Sequence, residues 1–224
     1  MLQKTTLLSL LALLFLSPKM QAQDSEIGNW LLYFGNQKIN NRFNFHNEVQ
    51  YRSYNFIGDT EQFLLRTGLG YDLTENNNNI LVGFAYIYSE NYIPGTDEKF
   101  HTNEYRIYEQ LITKSQFGPV YMTNRYRFEQ RFIDDNFKMR LRYFLSLNVP
   151  LNKKVLEKNA FYASAYNEIF INVEPLTFDR DRVYGGFGYC INKNCKVEAG
   201  IMSQLFTEGS TTQFQIMFFN NLPF

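Results

Sequence analysis

The sequence is poor in the residues that build metal sites and nucleophilic catalysts. Its 224 residues include only two histidines, two cysteines and one tryptophan. Cys190 and Cys195 are four residues apart, and such a pair without further cysteine or histidine is a poor metal site. We therefore expect no metal and no cofactor. A disulfide between them is compatible with an exported protein, but its geometry does not follow from sequence, so the bridged and reduced states both stay open.

An excess of positive charge is also missing. The chain has 22 lysines and arginines and 22 aspartates and glutamates, so its formal net charge at pH 7 is zero. A domain that binds the phosphate backbone of nucleic acid is usually strongly basic. The charge balance therefore argues against nucleic acid as a partner.

Long apolar runs are absent beyond the N-terminus. Lys4 precedes the apolar stretch from Leu7 to Leu16, and a plausible cleavage site follows at Ala22. This pattern predicts a cleaved signal peptide over residues 1–22 and one mature domain over residues 23–224. Because only helices and closed barrels satisfy the backbone in lipid, a membrane protein with this sequence would cross with strands.

Aromatic residues and period-two alternation are abundant instead. Aromatic residues make up 17% of the chain, with 22 phenylalanines and 16 tyrosines. Apolar and polar residues alternate almost everywhere after the signal, which is the pattern of strands. Turn residues divide the alternation into eleven segments, which begin near Ile27, Arg42, Gln62, Ile80, Asn103, Val120, Phe137, Ala160, Phe178, Lys196 and Thr212. No helical periodicity is sustained, so we predict one all-β domain.

The stretch RYRFEQRFIDDNFKMRLRYFLSL, from Arg125 to Leu147, shows the pattern most clearly. If Asp134-Asp135 is a two-residue turn, Phe132 pairs with Phe137 and the register continues outward to Tyr126 and Tyr143. One face of this predicted hairpin is then aromatic and aliphatic, and the other is charged. A slip by one residue would mix the two faces, so the register is well specified.

The same division recurs along the chain and defines a candidate site. The charged row predicted to face the lumen of a barrel comprises Glu48, Arg52, Arg66, Arg125, Arg127, Glu129, Arg131, Lys138, Arg140, Arg142 and Glu168. The residues themselves do not decide between two roles. Opposed charges can neutralise one another in a confined lumen, or they can line a pore or binding cavity that favours anions.

The sidedness of the strands has two solutions. A soluble sandwich or lipocalin-like barrel would bury the apolar row, whereas a transmembrane barrel would expose it to lipid. Several runs continue for about a dozen residues, longer than usual soluble strands. The last strand alternates from Phe214 and ends on Phe224, which resembles the closing strand that the insertion machinery of bacterial outer membranes reads. We therefore predict a transmembrane, antiparallel up-and-down β-barrel of about ten to twelve strands in the outer membrane, in contact with its lipid.

Four segments carry a resemblance to a family. GNWLLYFG (Gly28 to Gly35), HNEVQYR (His46 to Arg52), RTGLGYDL (Arg66 to Leu73) and RYRFEQRF (Arg125 to Phe132) resemble the recurrent strands of an uncharacterised group of outer-membrane barrels, known only as a domain of unknown function. The resemblance covers nearly the whole mature chain. It implies a barrel and carries over no catalytic residue.

Three classes of function remain open at this point. The first is a narrow pore or binding barrel with a net basic lumen. The second is a lipid-modifying hydrolase, which would need a serine beside His46 or His101. Neither histidine has a serine one or two residues away, so we predict no catalytic residue. The third is a structural or interaction barrel without transport.

Overall fold

The computed structural model describes residues 27–74 and 77–223, and all regular elements in these ranges are β-strands. The predicted signal peptide and Phe224 lie outside the described residues. In chain order the strands are β1 (Gly28–Lys38), β2 (Phe43–Ser53), β3 (Thr60–Thr74), β4 (Asn78–Tyr92), β5 (Lys99–Phe117), β6 (Val120–Ile133), β7 (Asn136–Pro150), β8 (Phe161–Asn172), β9 (Thr177–Cys190), β10 (Cys195–Leu205) and β11 (Ser210–Asn220). Each begins within four residues of its predicted start.

The strands form one closed barrel. Each strand pairs antiparallel with its sequence neighbours, and β1 closes the barrel by pairing parallel with β11. An up-and-down meander with an odd number of strands must close in this way, because its first and last strands run in the same direction. The predicted all-β barrel of ten to twelve strands is confirmed as an eleven-stranded one with a single parallel pair. We call the end where β1 begins mouth A and the end where it finishes mouth B.

The hairpin of β6 and β7 has the predicted register. Phe132 pairs with Phe137, and the ladder continues without a shift past Tyr126 and Tyr143. Asp134 adopts a φ of 48°, the left-handed conformation that the favoured two-residue hairpin turns need. The aromatic partners Phe132 and Phe137 pack with ring centroids 5.1 Å apart.

The outer face of the barrel is largely apolar. Leu69, Val82 and Ile201 each leave more than half of their surface exposed, as does Phe187 at 68%. Soluble monomers rarely expose contiguous apolar surface on this scale, and such surface marks contact with a membrane or another protein. Among the described residues, no helix is long and apolar enough to span a membrane.

Aromatic side chains concentrate near both mouths on the outer face. At mouth A, Phe132 packs on Phe137 across the β6–β7 turn, and Tyr88 stacks on His101 with centroids 5.5 Å apart. At mouth B, Phe161 at the start of β8 packs on Tyr189 near the end of β9, with centroids 4.8 Å apart. Two aromatic girdles around an apolar band are typical of transmembrane β-barrels.

Candidate functional site: a ring of polar contacts across the lumen

Many of the side chains that face inward are charged and almost fully buried. Seven arginines and five glutamates are at most 8% exposed: Arg52, Arg66, Arg106, Arg127, Arg140, Arg142, Arg182, Glu48, Glu104, Glu129, Glu168 and Glu198. Side chains along a strand alternate between its two faces, so the apolar row of β2, β3, β6 and β7 points outward and their charged row points into the barrel. Burial of this many ions requires that they pair with one another.

A continuous circuit of contacts runs around the lumen. We call it the polar ring, and it comprises Trp30, Glu48, Gln50, Arg52, Arg66, Tyr108, Arg127, Glu129, Arg142, Glu168 and Arg182.

On one side of the ring, the guanidinium of Arg52 stacks 3.8 Å from the centre of the Trp30 ring and donates to Gln50 at 2.6 Å. Gln50 donates in turn to Glu48, which pairs with Arg66 at 2.5 Å. This half of the ring therefore joins β1, β2 and β3 by direct hydrogen bonds and one stacked cation.

On the other side, two glutamates link arginines from neighbouring strands. Arg142 donates to Glu129 at 2.6 Å and to Glu168 at 2.7 Å. Glu168 lies 3.8 Å from Arg182, whose guanidinium is 4.9 Å from the centre of the Trp30 ring. The circuit thereby returns to β1.

Tyr108 joins the two halves. Arg66 and Arg127 both lie over its ring, at 5.5 and 4.7 Å from the centroid. Its hydroxyl donates to the Thr67 carbonyl oxygen at 3.1 Å, so the ring lies flat along the wall. Gly83 makes this possible, because a Cβ there would overlap the Tyr108 ring. The absence of a side chain at Gly83 therefore lets the Tyr108 ring lie where both arginines contact it.

The side chains of the polar ring expose little surface to water. A side chain that lined a water-filled channel would be exposed along the channel, whereas every member of the ring is at most 8% exposed. Half-buried residues such as Arg125 and His46 lie on the mouth B side, and Arg131 and Asp179 lie on the mouth A side. We call the parts of the interior on either side of the ring the two vestibules.

Connections between strands pack against the barrel wall at both mouths. At mouth B, Leu156 of the β7–β8 connection (residues 151–160) packs against Tyr162 and Cys190. At mouth A, Lys99 pairs with Asp59 and, at 3.3 Å, with Glu90, which ties the β2–β3 connection to β4 and β5. Burial is the main cause that raises the pKa of Tyr54 in that connection to about 12.

The structure places the predicted site residues in three groups. The ring contains seven of them: Glu48, Arg52, Arg66, Arg127, Glu129, Arg142 and Glu168. Arg140, Arg125 and Arg131 are adjacent and pair with Glu129, Glu168 and Glu104 at 2.7, 2.7 and 2.5 Å. Lys138 is exposed and does not face the lumen as predicted. It lies close to the β6–β7 turn, at the edge of the barrel, where the pairing of β7 with β8 does not reach.

Sequence reasoning missed several interior residues. Glu104, Arg106 and Tyr108 alternate on β5 with the outward Tyr105 and Ile107, so the period-two pattern contained the signal. Arg182 and Trp30 lie in strands whose inward rows mix aromatic, glycine and charged residues, and there the pattern is weaker.

The two cysteines lie on opposite faces of the β9–β10 hairpin. Cys190 pairs in register with Lys196, so the adjacent Cys195 points to the other face. Both thiols are buried and unbridged. A disulfide between them would require a local rearrangement of the hairpin.

The histidines have no serine partner in residues 27–74 and 77–223. His46 lies 3.3 Å from Glu48, and His101 hydrogen-bonds the Tyr88 hydroxyl at 2.8 Å on the outer face. In the same ranges no group of three or more histidine, cysteine, aspartate or glutamate side chains could hold a metal ion.

These features define a class of protein: a closed eleven-stranded β-barrel with an apolar outer face and a lumen crossed by ion pairs. The chain belongs to the family described as "Protein of unknown function (DUF2490)", which matches residues 27–215. No curated protein and no solved structure matches it.

Proposed function

We propose that this protein is a transmembrane β-barrel of the bacterial outer membrane that binds anionic solutes in its vestibules and is closed to free diffusion by the polar ring. The observation that carries the proposal is the sidedness of the strands. The apolar, aromatic-girdled rows face outward and the ionic rows are buried inside, which is the arrangement of a barrel with lipid as its solvent.

Anions are the solutes that fit the lumen. Five arginines and three glutamates belong to the polar ring, and the wider set of buried interior ions is also richer in arginine. The positive excess lies in an environment that screens charge poorly, and such an interior favours the entry of anions over cations. The interior charges thus support both roles left open by the sequence, neutralisation around the ring and attraction of anions at its edges.

The membrane assignment can be tested by fractionation and by electrophoresis with and without boiling. We expect the protein in the outer-membrane fraction, with a folded form whose mobility changes on boiling. Recovery in the soluble periplasmic fraction, with no heat-dependent mobility, would refute the assignment.

Closure by the polar ring can be tested in planar lipid bilayers. We expect no steady conductance from the wild type and ion conductance from the double variant Arg127→Ala and Arg142→Ala, because both substitutions remove bulk from the ring. Arg131→Ala, outside the ring, is the control and should stay closed. A steadily conducting wild type would contradict the closed-ring proposal.

A further inference from the structure

Arg127, like Arg52 and Arg182, hydrogen-bonds a glutamine oxygen and no carboxylate, but of these three only Arg127 has a buried guanidinium nitrogen without a partner. Its Nε and Nη2 donate to the neutral side-chain oxygen of Gln110, at 3.0 and 2.7 Å. Its nearest carboxylate is Glu129, 3.7 Å from Nη1, and this contact is too long for a hydrogen bond. The side chain is 1% exposed. Arg127 is therefore a buried cation with no hydrogen-bonded counterion among the described residues.

The neighbouring carboxylates are already engaged. Glu129 accepts hydrogen bonds from Arg140 and Arg142, at 2.7 and 2.6 Å. Glu48 accepts from Arg66, and Glu168 accepts from Arg125 and Arg142. An uncompensated buried charge is costly, and a bound anion would balance the charge in this part of the lumen.

Three unpartnered donors mark where that anion would bind. Among the buried side-chain atoms without a hydrogen-bond partner are Nη1 of Arg127, Nε of Arg66 and Nε of Arg125. Arg66 and Arg127 share the Tyr108 ring, and Arg125 lies two residues from Arg127 on the same face of β6. Arg66 and Arg125 are also the like charges that act most strongly on Arg127. A cluster of guanidinium groups with free N–H donors is the usual protein site for phosphate and carboxylate groups.

We propose that Arg66, Arg125 and Arg127 form a binding site for a small oxyanion, such as a phosphate group, on the mouth B side of the polar ring. Arg125 opens the route to the site, because β6 runs from mouth B and its side chain remains 19% exposed above the more deeply buried Arg127. The anion supplies the counterion that Arg127 lacks. This proposal rests on the proposed function, because it assumes that the lumen prefers anions. It does not depend on where in the cell the protein lies.

The test is phosphate-dependent stability of the purified protein in a maltoside detergent, which carries no phosphate group. At equal ionic strength and pH, inorganic phosphate should raise the unfolding temperature of the wild type relative to chloride, because a ligand that binds the folded state stabilises it. We expect Arg127→Gln to weaken phosphate binding roughly tenfold or more, since it removes a charge-assisted hydrogen bond. Arg131→Gln, whose partner Glu104 lies at mouth A, should retain the wild-type response.

A second variant separates binding from a structural role. Arg127→Lys keeps the charge and loses the planar fork, so it should keep part of the phosphate response that Arg127→Gln loses. Equal unfolding temperatures in phosphate and chloride for the wild type would overturn the proposal, as would a full response in a folded Arg127→Gln variant. Fractionation and conductance do not enter this test, so failure of the binding site can be told from failure of the membrane assignment.

Discussion

At the scale of single residues, the packing of the lumen depends on glycines, which leave room for neighbouring side chains, as well as on charged residues. Gly83 leaves room for the Tyr108 ring on the wall of β4, and the ring in turn supports Arg66 and Arg127. Gly185 on β9 provides a contrast, because a Cβ there would meet nothing within 4 Å. The two glycines therefore differ in whether a larger side chain would meet an obstacle.

Gly83→Ala should destabilise the barrel by about 1–3 kcal/mol, because the added methyl overlaps the Tyr108 ring and the Thr67 carbonyl oxygen. Gly185→Ala should be neutral or slightly stabilising, since alanine restricts the unfolded chain and meets no obstacle. Urea unfolding of the two variants in the same detergent measures the difference. Equal stabilities would show that close packing on Tyr108 is not what requires glycine at position 83.

At the scale of strands, β5 presents a carboxylate on each of its faces. Glu104 points inward and is held by Arg106 and Arg131 at 2.6 and 2.5 Å. Glu109 points outward, is exposed, and pairs in register with Val82 and Phe128. The outward carboxylate has Gln130 as its hydrogen-bond donor, at 3.3 Å. A carboxylate in an apolar outer face should be unfavourable if that face meets lipid.

Glu109→Leu should therefore stabilise the barrel in lipid vesicles by about 1–2 kcal/mol, somewhat less than the value known for lipid-facing lysine or arginine. Glu104→Leu, on the same strand, should destabilise it by about 3–5 kcal/mol, because Arg106 and Arg131 would lose their partner. Denaturant unfolding from vesicles gives both values. A loss of stability in Glu109→Leu would argue against lipid contact on this face.

At the scale of the whole molecule, the odd strand number decides how the barrel closes. Each hairpin follows from local sequence, but β1 and β11 meet only after the entire meander has curved round. Their parallel register places Tyr33 opposite Phe218, with stacked rings 6.1 Å apart. Inside the seam, Trp30, Leu32 and Met217 belong to one buried cluster with Tyr184 and Met202. Closure is therefore stabilised from both faces.

The seam can be tested with engineered cysteines in a Cys190→Ser, Cys195→Ser background. Tyr33→Cys with Phe218→Cys should form a disulfide on oxidation, because directly paired strand residues lie within disulfide range. Leu31→Cys with Phe218→Cys, two residues out of register, should cross-link far less. Mass spectrometry of proteolytic fragments identifies the bond. Preferential linkage of the control pair would contradict the parallel closure.

Much of this architecture follows from the chain alone. Alternation determined the eleven strands, the β6–β7 register and which residues share a face, because side chains in a strand point to opposite sides with a period of two. The ring, however, depended on closure. Only the closed barrel brings Arg182 of β9 to Trp30 of β1. Only the assembled lumen shows that Arg125 of β6 reaches Glu168 of β8. Such contacts join residues far apart in sequence, and their pairing depends on how the strands are inclined around the barrel, which no local pattern encodes.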